Sequence, residues 1–220
     1  MRTVAFLHTA DVHVATFSGL LSGVAPGAVD VHLVDAELLS DARRHGLDAG
    51  IEARVLARLR ELAVDEPGAI VCTCSTLGGS AERVGQEIET PVVRIDRPMA
   101  ESAVANGGRV ALVVAIDSTL APTRQLFEEC AAKAGSDVTL VDAPCLDAWE
   151  RFEAGDYAGY LDRVARHVRG LAGVVDVVVL AQASMAPAAD LVADLSIPVL
   201  SSPRLAVVRA VELADADNLT

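Results

Sequence analysis

Residues 69–76 read Ala69-Ile70-Val71-Cys72-Thr73-Cys74-Ser75-Thr76, and Leu77-Gly78-Gly79 follow. An uncharged run rich in Ile and Val is the pattern of a strand covered on both faces, as in a parallel sheet. The polar residues and the two glycines then predict a tight turn, with a helical pattern resuming at Ser80. The segment reads as strand, turn and helix start, which is the repeating piece of a βαβ unit.

Working outward, the same alternation fills the chain. Strands are expected at Thr3–Leu7, Val29–Val34, Ala69–Cys74, Val92–Ile95, Arg109–Ala115, Asp137–Asp142, Val174–Ala181 and Val199–Ser201. Helical periodicity marks Gly50–Val64, Ala81–Glu89, Pro122–Ala134, Asp156–Leu171 and Arg204–Ala214. The chain also matches itself. Val4, Ala5 and Asp11 return as Val110, Ala111 and Asp117 at a displacement of 106 (117 − 11); Pro91-Val92 returns as Pro198-Val199 at 107 (198 − 91). Ile70-Val71-Cys72 lies over Val178-Val179-Leu180, and Cys74 over Gln182, at 108 (182 − 74). Three markers in one order indicate two copies of one unit, with Asn106-Gly107-Gly108 as the turn before the second copy's first strand. The expected fold is α/β, with two pseudo-symmetric lobes that are each a mainly parallel sheet flanked by helices. Residues 1–97 form the first lobe and 98–203 the second, and a C-terminal helix at about 204–220 is placed to pack back on the first. Ligands of open α/β sheets bind beyond the carboxyl ends of the strands. That rule selects His8–Asp11, Cys74–Thr76, Asp117–Thr119 and Gln182–Ser184, expected to share a cleft.

Composition removes several functions. Of 220 residues, 52% are hydrophobic and 22% charged, so the chain carries enough apolar surface for a core. The 31 acidic residues exceed the 18 Lys and Arg, giving a net charge of −13, the wrong sign for gripping a phosphate backbone or an anionic membrane. Aromatics at 3% offer few platforms for stacking bases. No apolar run approaches the roughly 18 residues of a membrane helix, and the first residues lack a signal-peptide pattern. Four cysteines are too few for a disulfide scaffold. A cytoplasmic protein is expected, with no nucleic-acid or membrane partner.

Cys74 is the residue most suited to chemistry. A helix beginning just after it would favour an anion there, either a substrate carboxylate or a thiolate. Cys72 is read as a packing residue directed to the other face of the strand; on that ground a Cys72, Cys74, His8 and His13 metal site is set aside. Cys130 and Cys145 are read as packing residues. No G-x-G-x-x-G or Walker sequence is present, so no nucleotide cofactor is implied. Arg94, Asp96 and Arg97 suggest structural ion pairing or a second carboxylate contact, and Ser201, Ser202 and Arg204 hold the corresponding place in the second copy.

The turn Cys74-Ser75-Thr76, the segment Asp117-Ser118-Thr119 and the strand Val177-Val178-Val179-Leu180 together resemble the aspartate/glutamate racemase superfamily, which includes hydantoin racemases, maleate isomerases and arylmalonate decarboxylases. The resemblance spans nearly the whole chain. It implies two pseudo-symmetric lobes, a small carboxylate substrate, a homodimer, and two cysteines facing each other across the substrate's α-carbon; no cofactor and no metal are expected. The first falls on Cys74, but the second position falls on Gln182, in Leu180-Ala181-Gln182-Ala183-Ser184-Met185. A Gln side chain neither accepts nor delivers a proton near neutral pH, although its amide donates hydrogen bonds to a developing oxyanion. The resemblance puts His8 and Thr9 at the first lobe's substrate-contacting loop, and the strand-end rule adds Asp11, Ser75, Thr76, Asp117, Ser118, Thr119, Ala183 and Ser184 as candidate substrate contacts. His8 reads either as a site residue or as a packing one; His8, His13 and Asp11 are the nearest candidates for a second base. The expected activity is a racemase or isomerase acting α to a carboxylate with a single cleft cysteine. A single-cysteine decarboxylase or lyase and a non-catalytic carboxylate-binding protein are the alternatives.

Overall fold

The computed structural model describes residues 2–217. The chain divides into two compact units, Met1–Ile95 with Pro203–Thr220, and Asp96–Ser202. The first holds β1 (Thr3–His8), α1 (Val12–Val24), β2 (Val29–Val34), α2 (Ala36–His45), α3 (Ala49–Ala63), β3 (Ala69–Cys72), α4 (Ser75–Gly85) and β4 (Val92–Arg94), with nearly all of the last helix, α9 (Ser202–Asp217). The second holds α5 (Arg97–Asn106), β5 (Gly108–Val114), α6 (Asp117–Ala134), β6 (Val138–Pro144), α7 (Trp149–Glu153), α8 (Tyr157–Leu171), β7 (Val177–Leu180), a 3-10 segment (Ala183–Val192) and β8 (Val199–Ser201).

Each unit has one all-parallel four-stranded sheet, ordered β2-β1-β3-β4 in the first and β6-β5-β7-β8 in the second. The internal repeat is written in the pairing. Ala5 pairs with Ile70 and Ile70 with Val92 in one sheet; Ala111 pairs with Val178 and Val178 with Val199 in the other. The displacements between these residues, 106, 108 and 107, are those found by comparing the chain with itself (5 to 111, 70 to 178, 92 to 199).

All eight expected strands are present, and β3 is buried at every position because helices cover both its faces. On one face of the first sheet, Ala5, Leu7, Ile70 and Cys72 meet Val55 and Leu59 of α3 and Leu77 and Ala81 of α4. The α3 stripe Ile51, Val55, Leu59 and Leu62 is buried at helical spacing, and Asp48 caps the helix by accepting from the Ile51 N–H at 2.9 Å. In the second unit α8 does the same with Tyr160, Val164, Ala165 and Val168, capped by Asp156 on the Gly159 N–H at 2.9 Å.

Helices α1, α2, α5 and α7 have no counterpart in the sequence expectation. Only Phe17 and Leu21 of α1, and Leu38 and Ala42 of α2, are buried, which is too sparse a stripe to register as a period. Two further helices start earlier than expected. α4 begins at Ser75, so Gly78 and Gly79 lie inside it: a Cβ at Gly78 would stand 3.1 Å from both Cβ and Nε of Arg94, and glycine is the residue that admits that close approach. α6 begins at Asp117 and carries Pro122 within it, so Asp117–Thr119 is its first turn. Among the described residues no helix is long and apolar enough to cross a membrane.

The seam between α9 and the first sheet is tight. A Cβ on Gly68 would fall 2.5 Å from the Ala214 Cβ and 2.6 Å from its Cα. Gly68→Ala is therefore expected to lower unfolding free energy by about 1–3 kcal/mol through overpacking, read as a reduced denaturant midpoint with the slope unchanged.

Candidate active site

The carboxyl ends of β1 and β3 lie side by side, with the Thr73 N–H donating to the Leu7 carbonyl at 3.0 Å. Two residues past β3, Cys74 is the last extended residue (φ −105°, ψ 112°) before α4, and it is buried with Ser75 and Thr76. The partial positive charge of a helix N-terminus favours negative charge at this place. The buried Arg94 guanidinium runs along Gly78 and Gly79 of the same helix.

The second unit repeats this geometry with different chemistry. Its Ala181 N–H donates to the Val113 carbonyl at 3.0 Å, and Gln182 (φ −126°, ψ 140°) precedes the 3-10 segment as Cys74 precedes α4. The buried Gln182 side chain folds back over β5, where its Oε1 accepts from the Ala115 N–H at 2.5 Å and the Ile116 N–H at 3.0 Å. Both acceptor directions of that oxygen are taken, which fixes the amide's orientation and leaves its NH₂ group as the part available to a ligand. Ser184, just beyond, bonds the Tyr160 hydroxyl at 2.8 Å. Tyr160 is driven well above the usual phenol range by burial, so the pair is neutral.

The family model for Asp/Glu/hydantoin racemases matches residues 15–210. The chain belongs to that family. Among solved structures it is similar to an aspartate racemase of Picrophilus torridus (TM-score 0.76, 13% identity, covering 98% of this chain and 95% of that one). A glutamate racemase of Bacillus anthracis gives a TM-score of 0.73 at 15% identity, covering 99% of this chain and 83% of that one. A variant of arylmalonate decarboxylase gives 0.62 at 17%, covering 97% and 93%. At these identities the likenesses establish the fold. No curated protein matches.

The other expected site residues of this racemase-family chain fall as follows. Thr9 is half-buried and Asp11 exposed, the latter preceding α1 without a side-chain bond to its N-terminus. Asp117 is exposed, the Ser118 Oγ is buried with no partner among the described residues, and Thr119 is buried. Ala183 and Ser184, half-buried, open the 3-10 segment. His8 is fully buried and spends both ring nitrogens: Nδ1 lies 2.9 Å from Thr73 Oγ1 and Nε2 lies 2.8 Å from His32 Nδ1. His32 Nε2 in turn lies 2.9 Å from Asp30 Oδ2 and 3.0 Å from Ser18 Oγ, and Ser18 donates to the same carboxylate. Sequence reading passed over Asp30, His32 and Thr73. The available signal was two polar residues at i and i+2 in the otherwise apolar strand Val29-Asp30-Val31-His32-Leu33-Val34.

Cys72 corrects the sequence reading. It shares one core with Ile70 and Cys74, because residues two apart on a strand face the same way, and its thiol approaches the Cys74 carbonyl at 3.8 Å. The earlier ground for setting a metal aside therefore fails, although among the described residues no group of three or more His, Cys, Asp or Glu is placed to hold a metal. Cys145 is buried and pushed up to about 11 by desolvation, with Asp147 adding to the rise against Arg163, so it stays a thiol near neutral pH.

Burial, then the neighbouring His32 and His13, lower His8 from 6.5 to about 3. The folded state keeps this ring neutral where the unfolded chain protonates it, so stability is held above pH 6.5 and falls as the pH drops. Between pH 6.5 and about 3 the loss due to His8 is expected to approach about 1.4 kcal/mol per pH unit. Denaturant titrations across that interval check this, with a shallower slope expected for His8→Gln.

Proposed function

We infer that this family member is a cofactor-independent isomerase acting at the carbon next to a carboxylate, with Cys74 as its single proton-transfer thiol. The observation that supports the reading best is the setting of Cys74, a buried thiol at the head of an 11-residue helix in a chain of the racemase family. Removing a proton α to a carboxylate builds an enolate-like anion, and a helix N-terminus together with fixed amide donors suits that charge. Gln182 supplies such donors. Its pinned oxygen leaves NH₂ to meet a substrate oxygen, while Thr9, Ser75, Thr76, Asp117, Ser118, Thr119 and Ser184 supply further polar contacts. The resemblance further implies a homodimer.

A decarboxylase or lyase with one cysteine is the second reading, favoured by Gln182 itself. An amide whose oxygen is bound to two peptide N–H groups delivers no proton, so a thiol on one side protonates a carbanion from one face after loss of CO₂. Incubation with amino acids and substituted malonates in D₂O separates the two: α-proton exchange with loss of optical rotation marks racemisation, and CO₂ release with one enantiomer formed marks decarboxylation.

Cys74→Ala is expected to lower kcat by at least about 100-fold in either case. Unchanged turnover in that variant refutes the assignment, and tight binding of carboxylates with neither exchange nor CO₂ release makes the protein a carboxylate-binding module. Gln182→Glu keeps an acceptor for Ala115 and Ile116 but sets a negative charge beside the substrate carboxylate. KM is expected to rise at least about tenfold, measured by initial rates at constant pH.

A further inference from the structure

The row Asp30, His32, His8 and Thr73 joins a half-buried carboxylate on β2 to the residue that precedes Cys74. Its distances admit two proton arrangements without moving a heavy atom. In the first, the Thr73 hydroxyl donates to His8 Nδ1, His8 Nε2–H donates to His32 Nδ1, and His32 Nε2–H donates to Asp30; both rings are neutral. The Leu7 carbonyl does not need the Thr73 hydroxyl in this state, because it already accepts the Thr73 N–H at 3.0 Å. In the second, the Thr73 hydroxyl turns to the Leu7 carbonyl, 3.1 Å away, His8 Nδ1–H donates to Thr73, and His32 Nδ1–H donates to His8 Nε2. His32 is then an imidazolium against the Asp30 carboxylate. The two states differ by one proton.

We propose that Asp30, His32, His8 and Thr73 form a proton relay that takes up one proton at the Thr73 end and holds it on His32 against Asp30. An acid arriving at Thr73 gives its proton to Oγ1 as the Thr73 hydroxyl proton passes to His8 Nδ1 and the His8 Nε2 proton passes to His32 Nδ1. One O–H and two N–H bonds form as the acid's bond, one O–H and one N–H break; the acid leaves as its conjugate base, and every ring stays in place. His8 is neutral before and after, which suits a ring that is fully buried and beside a second imidazole. The charge rests instead on the ring next to Asp30, whose carboxyl is held low first by Ser18 and then by His32. The titratable groups around His8 are His32 and Asp30 from β2 and His13 from α1, whose ring centre is 6.4 Å away; β3 brings only the Thr73 hydroxyl.

The use of the relay in turnover rests on the isomerase reading above: it supplies a sink for the α-proton that Gln182 cannot provide. His32 and Asp30 act through His8 and Thr73 and are relay residues, not groups in contact with substrate.

Two-bond ¹H–¹⁵N spectra of the full chain labelled in histidine test the relay without any substrate. When the row takes up a proton, His32 is expected to carry it on Nδ1 while His8 stays neutral and its proton moves from Nε2 to Nδ1. Asp30→Asn removes the counter-charge and is expected to shift that event down by at least one pH unit; His32→Gln, a second variant, is expected to lock His8 in one tautomer. A His8 that keeps its Nε2 proton while His32 charges, or that becomes doubly protonated itself, overturns the proposal from the unsubstituted protein alone. The tautomer switch is expected intact in Cys74→Ala, so a lost switch and lost turnover report separate failures of the relay and of the catalytic reading.

Discussion

A parallel strand that stops beneath the surface leaves its last peptide groups without ladder partners, and such groups are costly unless something bonds them. In each unit by itself, residues at the strand ends answer that constraint. In the second unit the Gln182 oxygen takes the two N–H groups that follow β5. In the first, the Leu7 carbonyl at the end of β1 takes the Thr73 N–H, and the Thr73 hydroxyl lies 3.1 Å from the same oxygen. The residues that finish the sheets are thereby tied to the strand ends by hydrogen bonds, and fixed placement is what proton transfer between fixed atoms requires.

The two repeats share topology and register but have diverged in chemistry at this edge. One presents a thiol where the other presents an amide tied down by its oxygen. Behind the thiol, on the opposite face of the first sheet, Phe6 and Phe17 pack around His8 and His32. The sheet thus separates an apolar layer, which buries Cys72 and Cys74, from a layer with a line of polar groups. The adjacent residues Thr73 and Cys74 are where the two layers come together.

Much of this was legible in the sequence. Buried parallel strands advertise themselves as Val and Ile runs, and the recurrence of β1, β3 and β4 at nearly constant displacement identifies the repeat from sequence alone. Cys74 stood out because a strand ends and a helix begins there. The start of α4 was less visible: Gly78 signals a turn locally, whereas in the fold it lies inside the helix, where the close approach of Arg94 from a different strand leaves little room for a Cβ. The histidine row was hidden for the same reason. His8 and His32 are 24 positions apart and become partners through the β1–β2 pairing, which sets Phe6 opposite His32. Parity errors are also consequential, since Cys72 and Cys74 share a face.

The chemistry of this chain turns on what a bound carboxylate meets, and a crystal structure of the protein with a small dicarboxylate is the most direct measurement of it. The expected result is one carboxylate oxygen within hydrogen-bond distance of Gln182 Nε2, the Gln182 oxygen still on Ala115 and Ile116, and the ligand's α-carbon facing the Cys74 sulfur. A ligand bound away from Cys74, or a Gln182 amide turned so that its oxygen faces the ligand, would contradict it.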